Sequence, residues 1–224
     1  MKLSKEDLTS FIIGMLLGDG STALGKNAVN YNLKCKHNPK QYDYLIWKYD
    51  ILKENLGKNY WVSKTKSHFA GKALHPGNAG KEYVMYSVSL GTHTLVTHIR
   101  KIMYINNKKF VSPRLLKLLT PIGLAIWYMD DGCLSYRKNK DGTICSREIT
   151  LNIQGFDNIS QENIVKYFKD TFDIDGRLHK DRDNRRLWMN TTNSKKFLSI
   201  VKDYVSLVDC MKYKIDMRYG YKPQ

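Results

Sequence analysis

The feature that most constrains this chain is a pair of apolar segments of helical length, each ending at an Asp-Gly dipeptide. Residues 11–20 read FIIGMLLGDG and residues 123–132 read GLAIWYMDDG, so each half of the 224 residues holds one copy. A carboxylate near the C-terminal end of a helix is disfavoured by about 0.3–1 kcal/mol, because the helix dipole is negative there. One such pair is typical of a simple turn. Two copies at matching positions indicate that Asp19 and Asp131 have a function.

The charge of the chain favours a polyanionic partner. There are 37 Lys and Arg residues against 21 Asp and Glu, which gives a net charge of +16 and a pI near 9.6. Such an excess is typical of proteins that bind nucleic acids. The longest apolar run, residues 11–17, is far shorter than the roughly 18 residues that cross a bilayer, so we expect no membrane partner. Four cysteines without C-x-x-C spacing, and no signal-peptide pattern, predict an intracellular, reducing compartment and not secretion.

The first motif is predicted to be a helix. Ser4 and Asp7 form an S-x-x-D capping box that marks its start. The apolar residues that follow recur at helical spacing and predict one broad buried face: Leu8, Phe11, Ile12, Met15 and Leu16. Gly14 and Gly18 lie one turn apart on a neighbouring face, where the absence of side chains would let another backbone approach closely.

The rest of the first half carries strand and helix signals in turn. Residues 29–36 alternate between apolar and polar types, which predicts a strand with one buried face and one wet, basic face. Asn38-Pro39 predicts the start of a helix. That helix, two extended segments and a last helix are predicted at residues 41–56, 60–69, 82–90 and 92–104.

The second half repeats this order. Ser112-Pro113 and Thr120-Pro121 predict helix starts. A strand, a helix, a hairpin and a helix are predicted at residues 148–154, 160–172, 177–190 and 195–205. We infer an internal duplication: an α+β fold of two pseudo-symmetric αββαββα repeats, residues 1–111 and 112–224, whose motif helices pack at a pseudo-two-fold axis.

Two half-sites related by a two-fold axis match the symmetry of duplex DNA. Strand faces rich in Asn, Gln, Lys and Arg suit the edges of bases in the major groove, although an ordinary solvated sheet face is the alternative for any one residue. The predicted DNA-binding residues are Asn30, Asn32, Lys34, Lys64, Lys66, His68, Arg147, Thr150, Asn152, His179, Lys180, Arg182, Arg185 and Arg186.

If the motif helices pack against each other, Asp19 and Asp131 meet at the centre of the molecule. Two neighbouring carboxylates repel each other unless a divalent cation lies beside them. Oxygen ligands suit Mg²⁺, and Mn²⁺ or Ca²⁺ could occupy the same site. A metal-bound acid pair that faces a phosphodiester predicts metal-assisted hydrolysis.

The two motifs resemble those of a single-chain LAGLIDADG homing endonuclease of the two-motif, intron-encoded branch. The resemblance covers nearly the whole chain and includes INNKK at residues 105–109, TP at 120–121, LNIQGF at 151–156 and MKYK at 211–214. It implies two four-stranded, saddle-shaped antiparallel sheets on DNA and catalysis across the minor groove.

The resemblance also implies roles for individual residues. Asp19 and Asp131 match the metal-binding catalytic acids, assisted by the backbone carbonyls of Gly18 and Asp130. The side chain of Asp130 is expected at the surface or in a turn. The other implied catalytic residues are polar: Lys109 and Lys214 near the scissile phosphates, where ordinary phosphate or solvent contact is the alternative, and Lys36 and Gln154, which align across the repeat and would position solvent.

The chain departs from the family pattern at the helix contact. The first motif has Ile13 and Gly14 where the second has Ala125, Ile126 and Trp127. We therefore expect an asymmetric crossing of the two helices. The sequence therefore gives no basis for expecting equal rates at the two halves of the active site.

The sequence as a whole predicts a monomeric, Mg²⁺-dependent endonuclease that makes a double-strand break in a long, nearly non-palindromic DNA target. By the resemblance, we expect an organellar (mitochondrial) location or a bacterial or phage cytoplasm. Two alternatives stay open on the same fold: an RNA maturase that assists intron splicing, and a catalytically inactive DNA-binding regulator. Retention of both acids counts against the inactive regulator.

Overall fold

In the computed structural model, the described residues are 1–56, 62–70, 82–181 and 184–217. The N-terminal repeat contains, in order, α1 (Lys5–Leu17), β1 (Ser21–Leu24), β2 (Tyr31–His37), α2 (Tyr42–Leu56), β3 (Val62–Ala70), β4 (Glu82–Leu90) and α3 (Thr94–Met103). A connection follows with β5 (Tyr104–Ile105), β6 (Lys108–Lys109) and α4 (Pro113–Leu116). The C-terminal repeat contains α5 (Pro121–Asp131), β7 (Gly132–Lys138), β8 (Ile144–Leu151), α6 (Asn158–Phe172), β9 (Arg177–Asp181), β10 (Asn184–Met189) and α7 (Thr191–Val205). Short 3₁₀ helices occupy Pro39–Gln41 and Asp209–Ile215.

Each repeat forms a four-stranded antiparallel sheet with the same topology. The strand orders are β1-β2-β4-β3 and β7-β8-β10-β9. The predicted α+β fold of two αββαββα repeats is therefore confirmed, while the domain boundary at residues 111 and 112 stays a prediction. Among the helices of the described ranges, none combines the length and hydropathy needed to span a membrane.

Each predicted capping residue directly precedes its helix, and Thr120 alone among these four makes no side-chain capping hydrogen bond. The side chains of Ser4, Asn38 and Ser112 each accept a hydrogen bond from a backbone N–H two or three residues further on. The Thr120 hydroxyl instead donates to Asp7 Oδ1 at 2.6 Å, so that the start of α5 is tied to the start of α1. A side chain predicted to cap its own helix thus joins the two repeats.

The first strand of each sheet was not located from the sequence, because it has little pattern to read. β1 is short and mostly exposed along its length, as expected of an edge strand. β7 begins at Gly132, directly after the second motif helix. The strand predicted at residues 148–154 ends at Leu151 in β8, so Asn152 and Gln154 follow the strand.

The motif helices α1 and α5 pack backbone to backbone, as the glycine spacing predicted. A Cβ atom at Gly14 would overlap the carbonyl oxygen of Gly123, and one at Gly123 would overlap Ser10. A Cβ at Gly18 would overlap the carboxylate of Asp130. The close approach therefore needs glycine at each of these positions.

The crossing is asymmetric, because its glycines are not at equivalent positions. The counterpart of Gly14, 112 residues on, is Ile126, and the counterpart of Gly18 is Asp130. The described ring contacts of Trp127 are with Phe156 and Phe168 of its own repeat, so its bulk is accommodated in the C-terminal core.

Candidate active site

The two predicted acids lie at the ends of the packed motif helices. Asp131 is the last residue of α5 and is half-buried, while Asp19 lies two residues beyond the end of α1 with a side chain 46% exposed. Asp130 Oδ2 accepts a hydrogen bond from the Asp19 backbone N–H at 3.2 Å. Three carboxylates thus share the centre of the molecule.

These acids are held in an environment that disfavours full ionisation. Burial raises the pKa of Asp131 to about 7, and the charges of Asp130 and Asp19 act in the same direction. Burial also raises the pKa of Asp19, again with the charge of Asp130. Lys109 and Lys214 oppose both shifts. Added positive charge at this place would therefore be stabilising.

The expectation that the Asp130 side chain lies at the surface is wrong. It is 0% exposed and forms an ion pair with Lys48 of α2, whose side chain is also 0% exposed, at 2.7 Å. Asp130 lies at the crossing of the motif helices, against Gly18. Because Gly18 has no side chain, the Asp130 carboxylate can point into the N-terminal repeat. Because the residue as a whole is partly accessible while its side chain is not, its exposed atoms are those of the backbone.

Sequence reasoning missed His37 and Lys48. Lys48 Nζ lies 3.0 Å from His37 Nε2, and His37 Nδ1 lies 3.2 Å from Gln41 Oε1. This pattern requires a neutral imidazole that accepts from Lys48 at Nε2 and donates to Gln41 at Nδ1. Burial and the nearby Lys48 charge lower the pKa of His37 to about 4, which agrees with that assignment.

One group of side chains in the described ranges could hold a metal ion. Asp19, His37 and Asp130 each offer a ligand atom, and these atoms lie within 4.8 Å of one another. The positively charged ammonium of Lys48 already lies 2.7 Å from Asp130 Oδ1 and 3.0 Å from His37 Nε2 in this group. The predicted cation between Asp19 and Asp131 stays a prediction.

The two predicted lysines lie beside the acids in pseudo-equivalent positions. Lys109 Nζ donates to the carbonyl of Gly20 at 3.3 Å, and Lys214 Nζ donates to the carbonyl of Gly132 at 2.9 Å. Each therefore contacts the glycine that follows a motif aspartate. Burial lowers the pKa of both lysines, against the raising effect of the acids.

Lys214 is also the C-terminal cap of α5. It is 5% exposed, and it donates in addition to the carbonyls of Tyr128 and Met129. An ammonium group has three N–H donors, so these carbonyls match its capacity. A cation at this end of a helix also offsets the negative end of the dipole.

The predicted equivalence of Lys36 and Gln154 is wrong by two residues. Ser21 pairs with Lys34, and its counterpart Cys133 pairs with Thr150. Two residues further along, the register matches Lys36 with Asn152, whose backbone N–H donates to the Asp131 carbonyl at 3.0 Å. Lys36 is exposed on β2, and Gln154 lies in the turn after β8 with its amide 3.5 Å from Asn152 Oδ1. Their catalytic roles stay predictions.

Strand parity divides the predicted DNA-binding residues between the two faces of each sheet. We call the face opposite the helices the open face. On β2, Leu33, Cys35 and His37 are buried against the helices, so Asn32 and Lys34 belong to the open face. Asn32 accepts from the Ala23 backbone, and Asn30, just before the strand, accepts from the Thr97 hydroxyl.

Lys64 and Lys66 do not share that open face. Lys64 pairs with the buried Val88 and lies with its ammonium 5.5 Å from the ring centre of Tyr49 on α2, so it points to the helix side. Lys66 is exposed and is two residues along the same strand, hence on the same side. The side chain of His68 and the whole of Arg182 lie outside the described residues.

In the second sheet, the DNA-binding prediction for Arg147 is wrong. Arg147 is 3% exposed, shares a face of β8 with the buried Ile149, and packs on the ring of Tyr136. Thr150 lies on the other, open face. The prediction failed because it grouped residues of opposite parity on one strand.

The β9–β10 hairpin divides in the same way. His179 pairs with Arg186, and its ring stacks on Trp188 at 4.6 Å, so these side chains belong to the open face. Lys180 pairs with Arg185, whose guanidinium donates to side chains of α6, so this pair lies on the helix side.

Comparison with known proteins agrees with this architecture. The chain is 30% identical over 229 residues to the RecA protein of Mycobacterium gastri, covering 97% of this chain and 49% of that protein. It thus spans about half the length of the RecA proteins that it matches. It is 28% identical to the DNA endonuclease I-ChuI of Chlamydomonas applanata, covering 91% of this chain and 92% of that one. It is 24% identical to the cytochrome b mRNA maturase bI2 of Debaryomyces hansenii, covering 94% and 74%.

Among solved structures, the fold is similar to that of the homing endonuclease I-WcaI bound to its DNA recognition sequence. The TM-score is 0.77 at 19% identity, covering 97% of this chain and 89% of that one. The family model described as the LAGLIDADG DNA endonuclease family matches residues 9–197. These residues include both Asp-Gly motifs and both sheets, and the chain therefore belongs to the LAGLIDADG DNA endonuclease family.

Proposed function

We propose that this protein is a site-specific endonuclease that hydrolyses one phosphodiester in each strand of a long DNA target, with Mg²⁺ as its cofactor. The observation that carries the proposal is the packing of the two motif helices, which couples Asp19 and Asp131 electrostatically beside Lys109 and Lys214. Two relatives described by name as endonucleases, I-ChuI and I-WcaI, support the same activity.

The donor set fits a hard divalent cation. Carboxylate and carbonyl oxygens are the ligands that Mg²⁺ prefers. Because the pKa values of Asp19 and Asp131 are raised, a cation beside them would stabilise their ionised forms. Asp19 and Asp131 would hold the ion, with help from the carbonyls of Gly18 and Asp130. When bound, the ion would activate a water molecule and stabilise the leaving oxygen.

The remaining polar groups of the site have tasks of their own. Lys214 fixes the end of α5 and hence Asp131, through its bonds to the last carbonyls of the helix. Lys109 and Lys214 bring two ammonium charges to the edge of the acid cluster, where they can stabilise negative charge on a phosphate. Protonation of Asp131 near neutral pH would compete with cation binding.

The open faces of the two sheets supply the DNA-binding surface. They carry polar and basic side chains: Asn32, Lys34 and Lys36 in one sheet and Thr150, His179 and Arg186 in the other. The net charge of +16 adds a sequence-independent attraction to phosphates. Because the two halves differ in sequence, one chain acting as a monomer can read a nearly non-palindromic target.

The test uses Asp19→Asn and Asp131→Asn, with Asp170→Asn as a matched control, because Asp170 lies exposed on α6. A target is first selected by binding from a pool of randomised duplexes in Ca²⁺, and cleavage is then followed in Mg²⁺. We expect each motif substitution to slow cleavage at least about 10²-fold while DNA affinity is kept. Cleavage by Asp19→Asn or Asp131→Asn at the rate of the unsubstituted chain would contradict the proposal.

A second candidate function is that of an RNA maturase, which the similarity to the bI2 maturase favours. Splicing of a cognate intron does not require phosphodiester hydrolysis by the protein. The double variant Asp19→Asn/Asp131→Asn should therefore still support splicing if the chain is a maturase. An inactive DNA-binding regulator is distinguished by the cleavage assay itself.

A further inference from the structure

Among the described residues, a buried ion pair lies next to Asp19 and has no counterpart next to Asp131. Lys48 Nζ is 2.7 Å from Asp130 Oδ1, while Asp130 Oδ2 accepts from the backbone N–H of Asp19. Lys48 comes from α2 of the N-terminal repeat and Asp130 from α5 of the C-terminal repeat. The carboxylate therefore joins the support of Asp19 to the opposite half of the chain.

The ammonium of Lys48 is enclosed by partners on several sides. It lies 3.0 Å from His37 Nε2, 3.5 Å from Cys35 Sγ and 4.1 Å from the ring centre of Tyr44. Two fully buried opposite charges are costly to desolvate, and an apolar pair of similar volume is often as stable or more stable. Stability alone therefore gives a weak reason for this pair.

At the equivalent place in the other half of the site, the part of the chain that the structure describes provides no such ion pair. The counterpart of Asp130 in the first motif is Gly18, and the Asp130 carboxylate fills the space that a side chain at Gly18 would need. Asp131 lies within α5, whose regular structure orients it, whereas Asp19 lies beyond the end of α1. The Asp19 backbone N–H donates across the crossing to the Asp130 carboxylate, and a charged acceptor forms a stronger hydrogen bond than a neutral one.

We propose that Lys48 and Asp130 are positioning residues for Asp19, and that they selectively support the DNA strand cut that depends on this acid. Lys48 holds the Asp130 carboxylate in place, and the carboxylate holds the backbone of Asp19. This inference rests on the proposed endonuclease function. The trio of Asp19, His37 and Asp130 is accordingly not a second cation site, since the Lys48 ammonium already neutralises Asp130.

The test uses the double variant Lys48→Met/Asp130→Ala, which removes both buried charges together and so avoids an unpaired one. Its matched control is Lys166→Met/Asp170→Ala, which removes an exposed ion pair on α6. Duplex target labelled separately on each strand is cleaved under single-turnover conditions. Loss of a charged hydrogen bond predicts that the ratio of the two strand rates changes by about tenfold, in the direction in which residual cleavage by Asp19→Asn changes it.

A second readout is independent of cleavage. In ¹H–¹⁵N spectra of the metal-free protein, the amide resonance of Asp19 should shift in the double variant, while that of Asp173, at the C-terminal end of α6, stays in place. A folded, DNA-binding double variant that cuts both strands at unchanged rates, or slows both equally, would overturn the inference. If the unsubstituted chain cuts no DNA, the proposed endonuclease function fails, and an unshifted Asp19 resonance would then overturn the positioning contact by itself.

Discussion

The two halves of the candidate active site hold their aspartates by different means. In the C-terminal half, Asp131 is part of α5, and Lys214 caps the carbonyls at the end of that helix. In the N-terminal half, Asp19 lies past the end of α1, and Asp130 from the opposite repeat accepts its backbone N–H. The two repeats thus place their aspartates alike, but different contacts hold each aspartate in position.

This difference teaches that the N-terminal acid depends on the C-terminal repeat. Asp130 reaches across the helix crossing because Gly18 leaves the space for its carboxylate. A pseudo-symmetric fold therefore contains an asymmetric polar core, to which the N-terminal repeat contributes Lys48 and the C-terminal repeat contributes Asp130. Substitutions placed on one side at a time can break or sharpen this comparison.

The largest effect is expected from removing the cation on the Asp19 side alone. Lys48→Met leaves Asp130 charged, buried and without its ion-pair partner, so the free energy of unfolding should fall by about 3–5 kcal/mol. Chemical denaturation followed by circular dichroism measures this. Adding Asp130→Ala to Lys48→Met should restore most of the loss. A Lys48→Met variant as stable as the unsubstituted chain would show that the pair is not desolvated as described.

Much of the fold could be predicted from the sequence, because its signals are local. Capping at Ser4 and Ser112 marks helix starts, and alternation over Tyr31–His37 marks a half-buried strand. The edge strand Ser21–Leu24 could not be found, because four mostly exposed residues carry no period. The two acids could also be predicted, because each lies at the end of a motif that is present twice.

The supports of the acids could not be predicted, because they join residues distant in the sequence. Lys48 and His37 both face the core, on α2 and β2 respectively. The available signal in the sequence was a charged or polar residue at a position where the pattern favours an apolar one. Their partner Asp130 is 82 positions from Lys48 and belongs to the other repeat. Neither periodicity nor capping connects such residues, and only the helix crossing brings them together.

The next effect concerns the helix crossing, where Gly14 of the first motif contacts Gly123 of the second. Gly14→Ala would place a Cβ atom against the carbonyl of Gly123, and a backbone group cannot turn away as a side chain can. We expect a loss of about 1–3 kcal/mol in the free energy of unfolding, measured by denaturation. Gly155→Ala is the control, because open space surrounds that position. Equal stability of the two variants would contradict a backbone-to-backbone crossing.

The smallest effect separates the two pseudo-equivalent lysines. Lys214→Met removes three hydrogen bonds to the end of α5 and leaves those buried carbonyls without their cation, so unfolding should become easier by about 1–3 kcal/mol. Lys109→Met removes one hydrogen bond of 3.3 Å from a partly buried side chain, and its cost should be about 1 kcal/mol or less. Both should slow cleavage if both ammonium groups act on a phosphate. Thermal denaturation of the two variants, each with and without target DNA, measures the difference in stability directly. Equal destabilisation by the two substitutions would mean that Lys214 is no more a helix cap than Lys109, and that the acids of the two halves are held more alike than the contacts indicate.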